Sequence, residues 1–363
     1  MRGATDRALR LGVVGCGYVA ERVHLPVLAR LPEVEVVAVA DRDHARLISV
    51  GDSFEIASRH RNGDDLVADP AVEAVAVLVP PTEHAAPAAS ALEAEKHVLV
   101  EKPLTVSLRE ADVLVESAAR FGGAAMVGFN LRWLDAVQRA RELVADGRLG
   151  EIEAVRTALT SRRRFDSTAP EWRRQRELGG GSLIEQGIHH FDLWRFLLGS
   201  EVEEVFAVAH AGDAGAAVTA RMADGALVQT TLSERTTPTH SVEILGTEAC
   251  LRLRLTHFDG LELVPAGRED SAPAVRVRHL RATLRRLPRA LVELRTGGHF
   301  ASSYAEQWRR FARAARNGTA TAPTFDDGRR ALEISVAAVR SATTGYPVRL
   351  EPRAPPLAAG ARA

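Results

Sequence analysis

The sequence is poor in lysine, cysteine and net charge, and the last two shortages each remove a class of function. Only Lys96 and Lys102 are lysines, so arginine supplies the other 45 of 47 basic residues. These are balanced by 47 acidic residues, and a chain with no basic surplus lacks the footprint of a dedicated nucleic-acid binder. Two cysteines, Cys16 and Cys250, cannot build a disulfide framework, which fits a reducing cytoplasmic setting. Apolar runs such as Ala74 to Pro81 are far too short to span a bilayer, so no membrane partner is expected. Met1 to Arg10 is charged and carries no apolar core of a signal peptide. What remains is an ordinary globular composition, 46% hydrophobic and 26% charged, over 363 residues. That length suits two domains with a core each. A lysine kept in so arginine-biased a chain marks a place where arginine does not serve.

From Leu9 to about Asn130, short Val-rich runs alternate with longer helical stretches. Leu9–Val14, Val34–Ala40, Val72–Val79, His97–Val100 and Ala124–Phe129 are the strand candidates, apolar on both parities as strands covered on both faces should be. Strand–helix–strand alternation predicts a doubly wound parallel sheet over residues 1–130. The pattern then changes. Ile152–Leu159, Val202–Ala209, Ala217–Met222, Ala226–Leu232, Val242–Leu245 and Cys250–Leu255 alternate polar and apolar residues, with an Asp224-Gly225 hairpin signal between two of them. This predicts an α+β domain over residues 131–350, built on a large, open, mostly antiparallel sheet. Residues 351–363 read as a frayed tail.

Gly15-Cys16-Gly17-Tyr18-Val19-Ala20 is a G-x-G-x-x-A turn between the first strand and the first helix. Gly15 permits the tight turn, Gly17 lets the backbone approach a pyrophosphate, and Ala20 allows close helix–sheet packing. The helix N-terminus adds amides and a dipole favourable to phosphate. Asp41, at the end of the second strand, is placed to hydrogen-bond a ribose 2′-hydroxyl, which favours NAD. Arg42 beside it keeps NADP open, because a guanidinium can hold a 2′-phosphate.

Val100-Glu101-Lys102-Pro103 ends the strand His97–Val100 on the edge where ligands bind in such sheets. A lysine there, near a cationic nicotinamide ring, can exchange a proton with a substrate hydroxyl; the plainer alternative is a lysine that meets only phosphate or solvent. Farther on, Gly179 to Asp192 contains Glu185 and His189 one helical turn apart, with Asp192 three residues later. That order suits a carboxylate–imidazole pair titrating near neutrality. Ser182-x-x-Glu185 reads equally as a capping box that would use Glu185 structurally, and His190-Phe191 reads as packing. No cysteine or further histidine supports a zinc centre, so no metal is expected. The run Arg276 to Arg295 holds seven arginines against Glu293. It reads as a solvated amphipathic insertion, or else as a surface for a phosphate-bearing substrate or partner.

Taken in order, the Gly15 turn, Pro80-Pro81-Thr82-Glu83-His84, Glu101-Lys102-Pro103, Trp172-Arg173 and the Gly179–Asp192 run resemble the glucose–fructose oxidoreductase, inositol dehydrogenase and MocA (Gfo/Idh/MocA) family, over roughly Leu9 to Leu350. The resemblance implies a Rossmann domain followed by a domain whose open sheet mediates homodimers or homotetramers. It implies catalysis by Lys102 and His189, with Glu185 at a position that is typically Asp in cyclitol-oxidising members. The cofactor contacts it implies are Gly15, Gly17, Tyr18, Val19, Ala20, Asp41, Arg42, Pro80, Pro81, His84, Glu101, Lys102 and Asn130. Substrate contacts fall to Lys102, Trp172, Arg173, Glu185 and His189, with Tyr18, Trp133 and His299 as further wall candidates. The expected activity is hydride transfer between NAD(P) and a secondary alcohol or ketone of a sugar, sugar derivative or cyclitol. The rivals are an NAD-dependent glycosidase, a dihydrodiol or carbonyl reductase, and a non-catalytic NAD(P)-binding regulator.

Overall fold

The computed structural model describes residues 7–162, 170–256, 260–267, 277, 284, 298–319 and 321–352. Nearly all of the arginine-rich segment and of the expected C-terminal tail lies outside these described residues. The chain divides into two compact units. The first takes its described residues from Met1–Phe129 and Tyr304–Leu332, the second from Asn130–Ser303 and Glu333–Arg353.

In the first unit, β1 (Leu9–Val14), β2 (Val34–Ala40), β3 (Ser58–His60), β4 (Ala74–Val77), β5 (His97–Val100) and β6 (Ala125–Val127) form one sheet in the order β3-β2-β1-β4-β5-β6. All the pairings are parallel. The order reverses between β1 and β4, which is the point where doubly wound sheets open a crevice at their carboxyl ends. The central strands are apolar on both faces because helices cover both. Those helices start where polar side chains meet bare amides. Asp43 accepts from the amides of Ala45 and Arg46, Asn62 from Asp65, and Ser107 from Glu110. The strand β3 escapes a reading by periodicity: Ser58-Arg59-His60 is a half-buried edge strand with no β-branched or aromatic residue.

The first unit is not contiguous in sequence: residues 304–332 belong to it. Trp308 Nε1 donates to His24 Nδ1 at 3.1 Å, Thr321 Oγ1 to the Ala125 carbonyl at 2.7 Å, and Arg329 Nε to Asp112 Oδ1 at 3.0 Å. Trp308, Phe311 and Phe325 are buried, and burying such large rings outweighs continuity of the chain.

In the second unit, β7 (Ile152–Thr160), β8 (Val202–Ala209), β9 (Gly215–Met222), β10 (Leu227–Ser233), β11 (Thr239–Gly246), β12 (Ala249–Arg254), β13 (Leu261–Pro265) and β14 (Val348–Arg349) form a sheet in the order β13-β12-β11-β7-β10-β9-β8-β14. Among the described residues of this sheet, only β7 and β10 pair in parallel. The hairpin β9–β10 turns at Asp224-Gly225, where Gly225 has φ +93° and the Ala226 amide bonds to Asp224 Oδ1 at 3.2 Å. Period-two alternation sends Val205, Val218, Val228 and Ile244 into the core with Phe191 and Trp194 of the helix Gly187–Leu198. The other face keeps Phe206, Val208 and Leu227 exposed.

Candidate active site

The glycine turn follows β1 directly. Gly15 adopts φ +103°, and a Cβ there would lie 2.8 Å from the Leu78 carbonyl carbon and oxygen, so only glycine fits. A Cβ at Gly17 would meet nothing within 4 Å. The backbone there borders open space of the kind a pyrophosphate needs. Ala20 is fully buried where the helix meets the sheet, whereas Tyr18 is exposed. Asp41 sits beside the turn, its Oδ2 accepting from the Cys16 amide at 2.7 Å and its Oδ1 from the Asp43 amide at 2.8 Å. Each carboxylate oxygen retains acceptor capacity for a ribose hydroxyl. The buried Cys16 thiol is pushed up to about 12, by burial first and then by Asp41, so it stays protonated and inert.

Arg42, the residue that keeps NADP open, is engaged by a carboxylate. Its Nη2 lies 2.7 Å from Glu83 Oε1, on the loop after β4. The same loop carries Pro80, Pro81 and His84. Pro81 opens a single 3₁₀ turn, Pro81–Glu83. His84 is buried, with Nδ1 2.7 Å from the Pro103 carbonyl and Nε2 2.9 Å from the Val79 carbonyl. It thereby ties the loop after β4 to the Lys102-Pro103 turn after β5. Burial pushes its pKa below the ordinary value, against the pull of the two carbonyls and Glu101.

Lys102 leaves the carboxyl end of β5, the same edge of the sheet as the glycine turn. Glu101 beneath it is buried and fully engaged. Oε2 accepts from the Lys102 amide at 3.0 Å, and Oε1 lies 3.0 Å from His24 Nε2. Burial alone would raise this carboxyl. The His24 ring, through its hydrogen bond and its electrostatic effect, leads the Lys102 ammonium and the Lys102 amide in holding it below the usual carboxylate range. Gly128 gives the carboxylate its room, since a Cβ there would stand 2.8 Å from Glu101 Oε1.

The other residues expected at a site belong to the second unit. Trp172 and Arg173 lie on a 3₁₀ turn, and the Arg173 guanidinium stands 5.6 Å from the Trp172 ring centroid. The glycine run docks on this turn: the Gly181 amide donates to the Arg173 carbonyl at 2.8 Å, and a Cβ at Gly180 would sit 2.4 Å from that oxygen. The run therefore brings Trp172 and Arg173 to the start of the segment bearing Glu185 and His189. That segment departs from an ideal helix. Ser182–Gln186 is a π turn and the α-helix begins at Gly187, so α-helical i,i+4 facing does not describe Glu185 and His189. The capping-box alternative fails as well, because Gly181 is the N-cap and no side chain caps the turn. Glu185 is buried and His189 half-buried.

Asp192 is committed elsewhere, paired with Arg132 through Nε–Oδ2 at 2.8 Å and Nη2–Oδ1 at 2.5 Å, both residues buried. Asn130 Nδ2 donates to Ser303 Oγ at 3.0 Å. Trp133 is buried in the same 3₁₀ turn as Asn130, and the His299 side chain lies outside the described residues. His190 is a packing residue, as its neighbour Phe191 suggests: its Nδ1 meets Thr230 Oγ1 at 2.7 Å and its ring stacks on His240, centroids 5.2 Å apart. Burial holds the His190 pKa well below its ordinary value and lowers that of His240 to about 4.

Sequence reasoning missed His24, Trp308, Arg132 and His240, and it named Glu83 without its contact to Arg42. All four of their partnerships, with Trp308–His24 counted once, join positions far apart in sequence. His24 could have drawn attention, as a histidine on the helix that opens at the glycine turn.

Comparison with known proteins agrees with this geometry. Residues 9–129 match the model of an oxidoreductase family with an NAD-binding Rossmann fold, and residues 137–252 match a Gfo/Idh/MocA C-terminal domain. An uncharacterised oxidoreductase of Bacillus subtilis, YrbE, is 29% identical over 94% of this chain and 96% of its own. The myo-inositol 2-dehydrogenase of Thermotoga maritima is 26% identical, over 94% of this chain and 99% of its own. The solved structure of GenD2 from gentamicin A biosynthesis, in complex with NAD, superposes with a TM-score of 0.78 at 27% identity, covering 96% of this chain and 98% of that one. With a glycine turn, a reversed-order parallel sheet and a large mixed sheet in place, the chain belongs to the Gfo/Idh/MocA family of oxidoreductases, and its first unit is that family's NAD-binding domain.

Proposed function

We propose that the protein is an NAD-dependent dehydrogenase or ketoreductase acting on a secondary alcohol or ketone of a sugar, sugar derivative or cyclitol. One observation carries the reading: Lys102 and the cofactor turn share the carboxyl edge of a single parallel sheet. The relative named for myo-inositol supports the substrate class. When bound, NAD accepts or returns the hydride at its nicotinamide ring. The chain's own groups do the rest. Gly15, Gly17 and the first helix hold the pyrophosphate, Asp41 takes the ribose, and Glu83 keeps Arg42 away from a 2′-phosphate role, which favours NAD over NADP. As a neutral amine Lys102 accepts the reacting hydroxyl's proton during oxidation, and as an ammonium it gives that proton back to the carbonyl oxygen during reduction. His189 is assigned the second proton-handling role, with Glu185 orienting it. Trp172 and Arg173 contribute substrate contacts. Orienting the reactants supplies much of the rate enhancement. The exposed apolar residues Phe206, Val208 and Leu227 make the open sheet the expected face for a homo-oligomer.

Lys102→Arg is the decisive variant, because arginine keeps the charge and cannot release the proton. Turnover of myo-inositol, other cyclitols and free sugars is followed as NADH formation. Loss of turnover with NAD binding retained is the expected result; an active Lys102→Arg enzyme refutes the proton-transfer role. Cleavage of a glycoside without net NADH would instead favour the glycosidase rival.

A further inference from the structure

At the amino end of the parallel sheet, away from the glycine turn, the first unit holds a cavity of about 350 Å³ lined by Glu33, Arg309, Arg313, Arg316 and Asn317. That size lies within the range of small-ligand clefts. The arginines share one face of the helix Gly298–Asn317, spaced four and three residues apart, and line about 10 Å of its length. Glu33 immediately precedes β2, and its backbone is held from two sides. Its carbonyl accepts from the Leu9 amide at 2.9 Å and from Arg316 Nη2 at 2.7 Å. The helix is pinned as well, by the Trp308 bond to His24 and by buried Phe311. The walls of the cavity are therefore set before any ligand arrives.

The charges there do not balance. Arg309 is shared, with Nε 3.6 Å from Glu33 Oε1 and Nη1 3.7 Å from Glu306 Oε2. Glu306 also holds Arg310 Nε at 2.8 Å, so its charge is already claimed. Arg316 spends a nitrogen on a neutral carbonyl and keeps further donors. Arg313 is exposed and makes no ion pair among the described residues. Three guanidinium charges against the one carboxylate of Glu33 leave a surplus of two at the cavity. Like charges at these spacings work against a helix. The helix dipole offsets that cost within the last turn, which holds Arg316 but neither Arg309 nor Arg313.

We propose that this cavity binds a phosphate dianion, as the free ion or as the phosphate of an ester, with Arg313 and Arg316 as the main donors and Arg309 and Asn317 completing the cradle. Guanidinium forks match phosphate oxygens, and a dianion cancels the surplus. Leu9 and Glu33 mark the amino ends of β1 and β2, whereas the glycine turn and Lys102 follow carboxyl ends. The anion and NAD thus take opposite ends of one sheet, and the site stands apart from the catalytic reading.

Calorimetric titration of NAD-saturated protein with inorganic phosphate, at constant ionic strength, tests this, because bound NAD keeps phosphate off the glycine turn. One phosphate per chain should bind with a dissociation constant of about 1 mM or tighter. Arg313→Gln and Arg316→Gln should each weaken it by roughly 3- to 10-fold, and Glu33→Gln should tighten it by a similar factor. Arg139→Gln, which alters an exposed arginine of the second unit, should change nothing. NAD affinity should be the same in all four. Absence of saturable binding overturns the proposal. So do arginine variants that bind phosphate as the unaltered protein does, since these side chains would then serve only the helix and solvent. Should Arg316→Gln not fold for want of its Glu33 contact, Arg313→Gln and Glu33→Gln decide the matter, because both leave that contact in place. Methyl phosphate separates the sources: binding at least as tight as that of inorganic phosphate assigns an ester, and weaker binding assigns the free ion.

Discussion

Acid should loosen the second unit through two stacked histidines. An unfolded chain protonates its imidazoles near pH 6.5, whereas folded His240 resists protonation down to about 4. The unfolded state therefore binds more protons between those limits, and stability falls as pH is lowered through them. For His240 alone the loss amounts to about 3 kcal/mol by pH 4, a large share of the 5–15 kcal/mol typical of a folded domain. His190 adds to the loss in the same direction, being buried against His240 and bonded to Thr230. The perturbation is His240→Phe, which keeps a stacking ring and removes the titration. Urea unfolding followed by tryptophan fluorescence at pH 7 and again at pH 4.5 gives four stabilities. Carboxylate effects are common to both proteins and cancel in the difference. The unaltered protein should lose about 2 kcal/mol more than the variant over that interval. Equal losses would refute the argument.

Three further outcomes follow from single contacts. Gly180→Ala should lower the melting temperature and weaken substrate binding while leaving NAD affinity intact, because the new Cβ would lie 2.4 Å from the Arg173 carbonyl; calorimetry with the two ligands in turn checks it, and a lost NAD affinity would contradict it. Glu83→Gln should free Arg42 and improve NADP binding relative to NAD by roughly 3- to 10-fold, in keeping with the modest strength of exposed ion pairs; an unchanged ratio would show that Glu83 does not govern the choice. Native protein should react with a thiol reagent at Cys250 well before Cys16, whose thiol is buried and held protonated; equal labelling by mass spectrometry would count against this.

Features that were legible in the sequence were those written locally. The glycine turn, Asp41 at the end of β2, the Asp224-Gly225 hairpin and the Lys102 turn each depend on neighbours within a few residues. Periodicity located most strands of both sheets, because burial on one or two faces leaves a pattern of period two or an unbroken apolar run. Ser58–His60 left no such pattern, since a short edge strand buries little. Long-range chemistry was out of reach. Nothing near Asp192 announces that Arg132 claims it, nothing near Arg42 announces Glu83, and the contact between Trp308 and His24 crosses 284 positions. The π turn at Ser182–Gln186 was equally hidden, because one extra residue per turn changes no composition.

The first unit is interrupted in sequence by the second, and this orders events at the ribosome. When Phe129 emerges, the parallel sheet can pair, but the buried faces around His24 and Ala125 still await Trp308 and Thr321. Every strand of the second sheet except β14 is made in that interval. The nucleotide-binding half is thus translated first and completed nearly last, and a message truncated before residue 304 would disable the half whose sheet is already made.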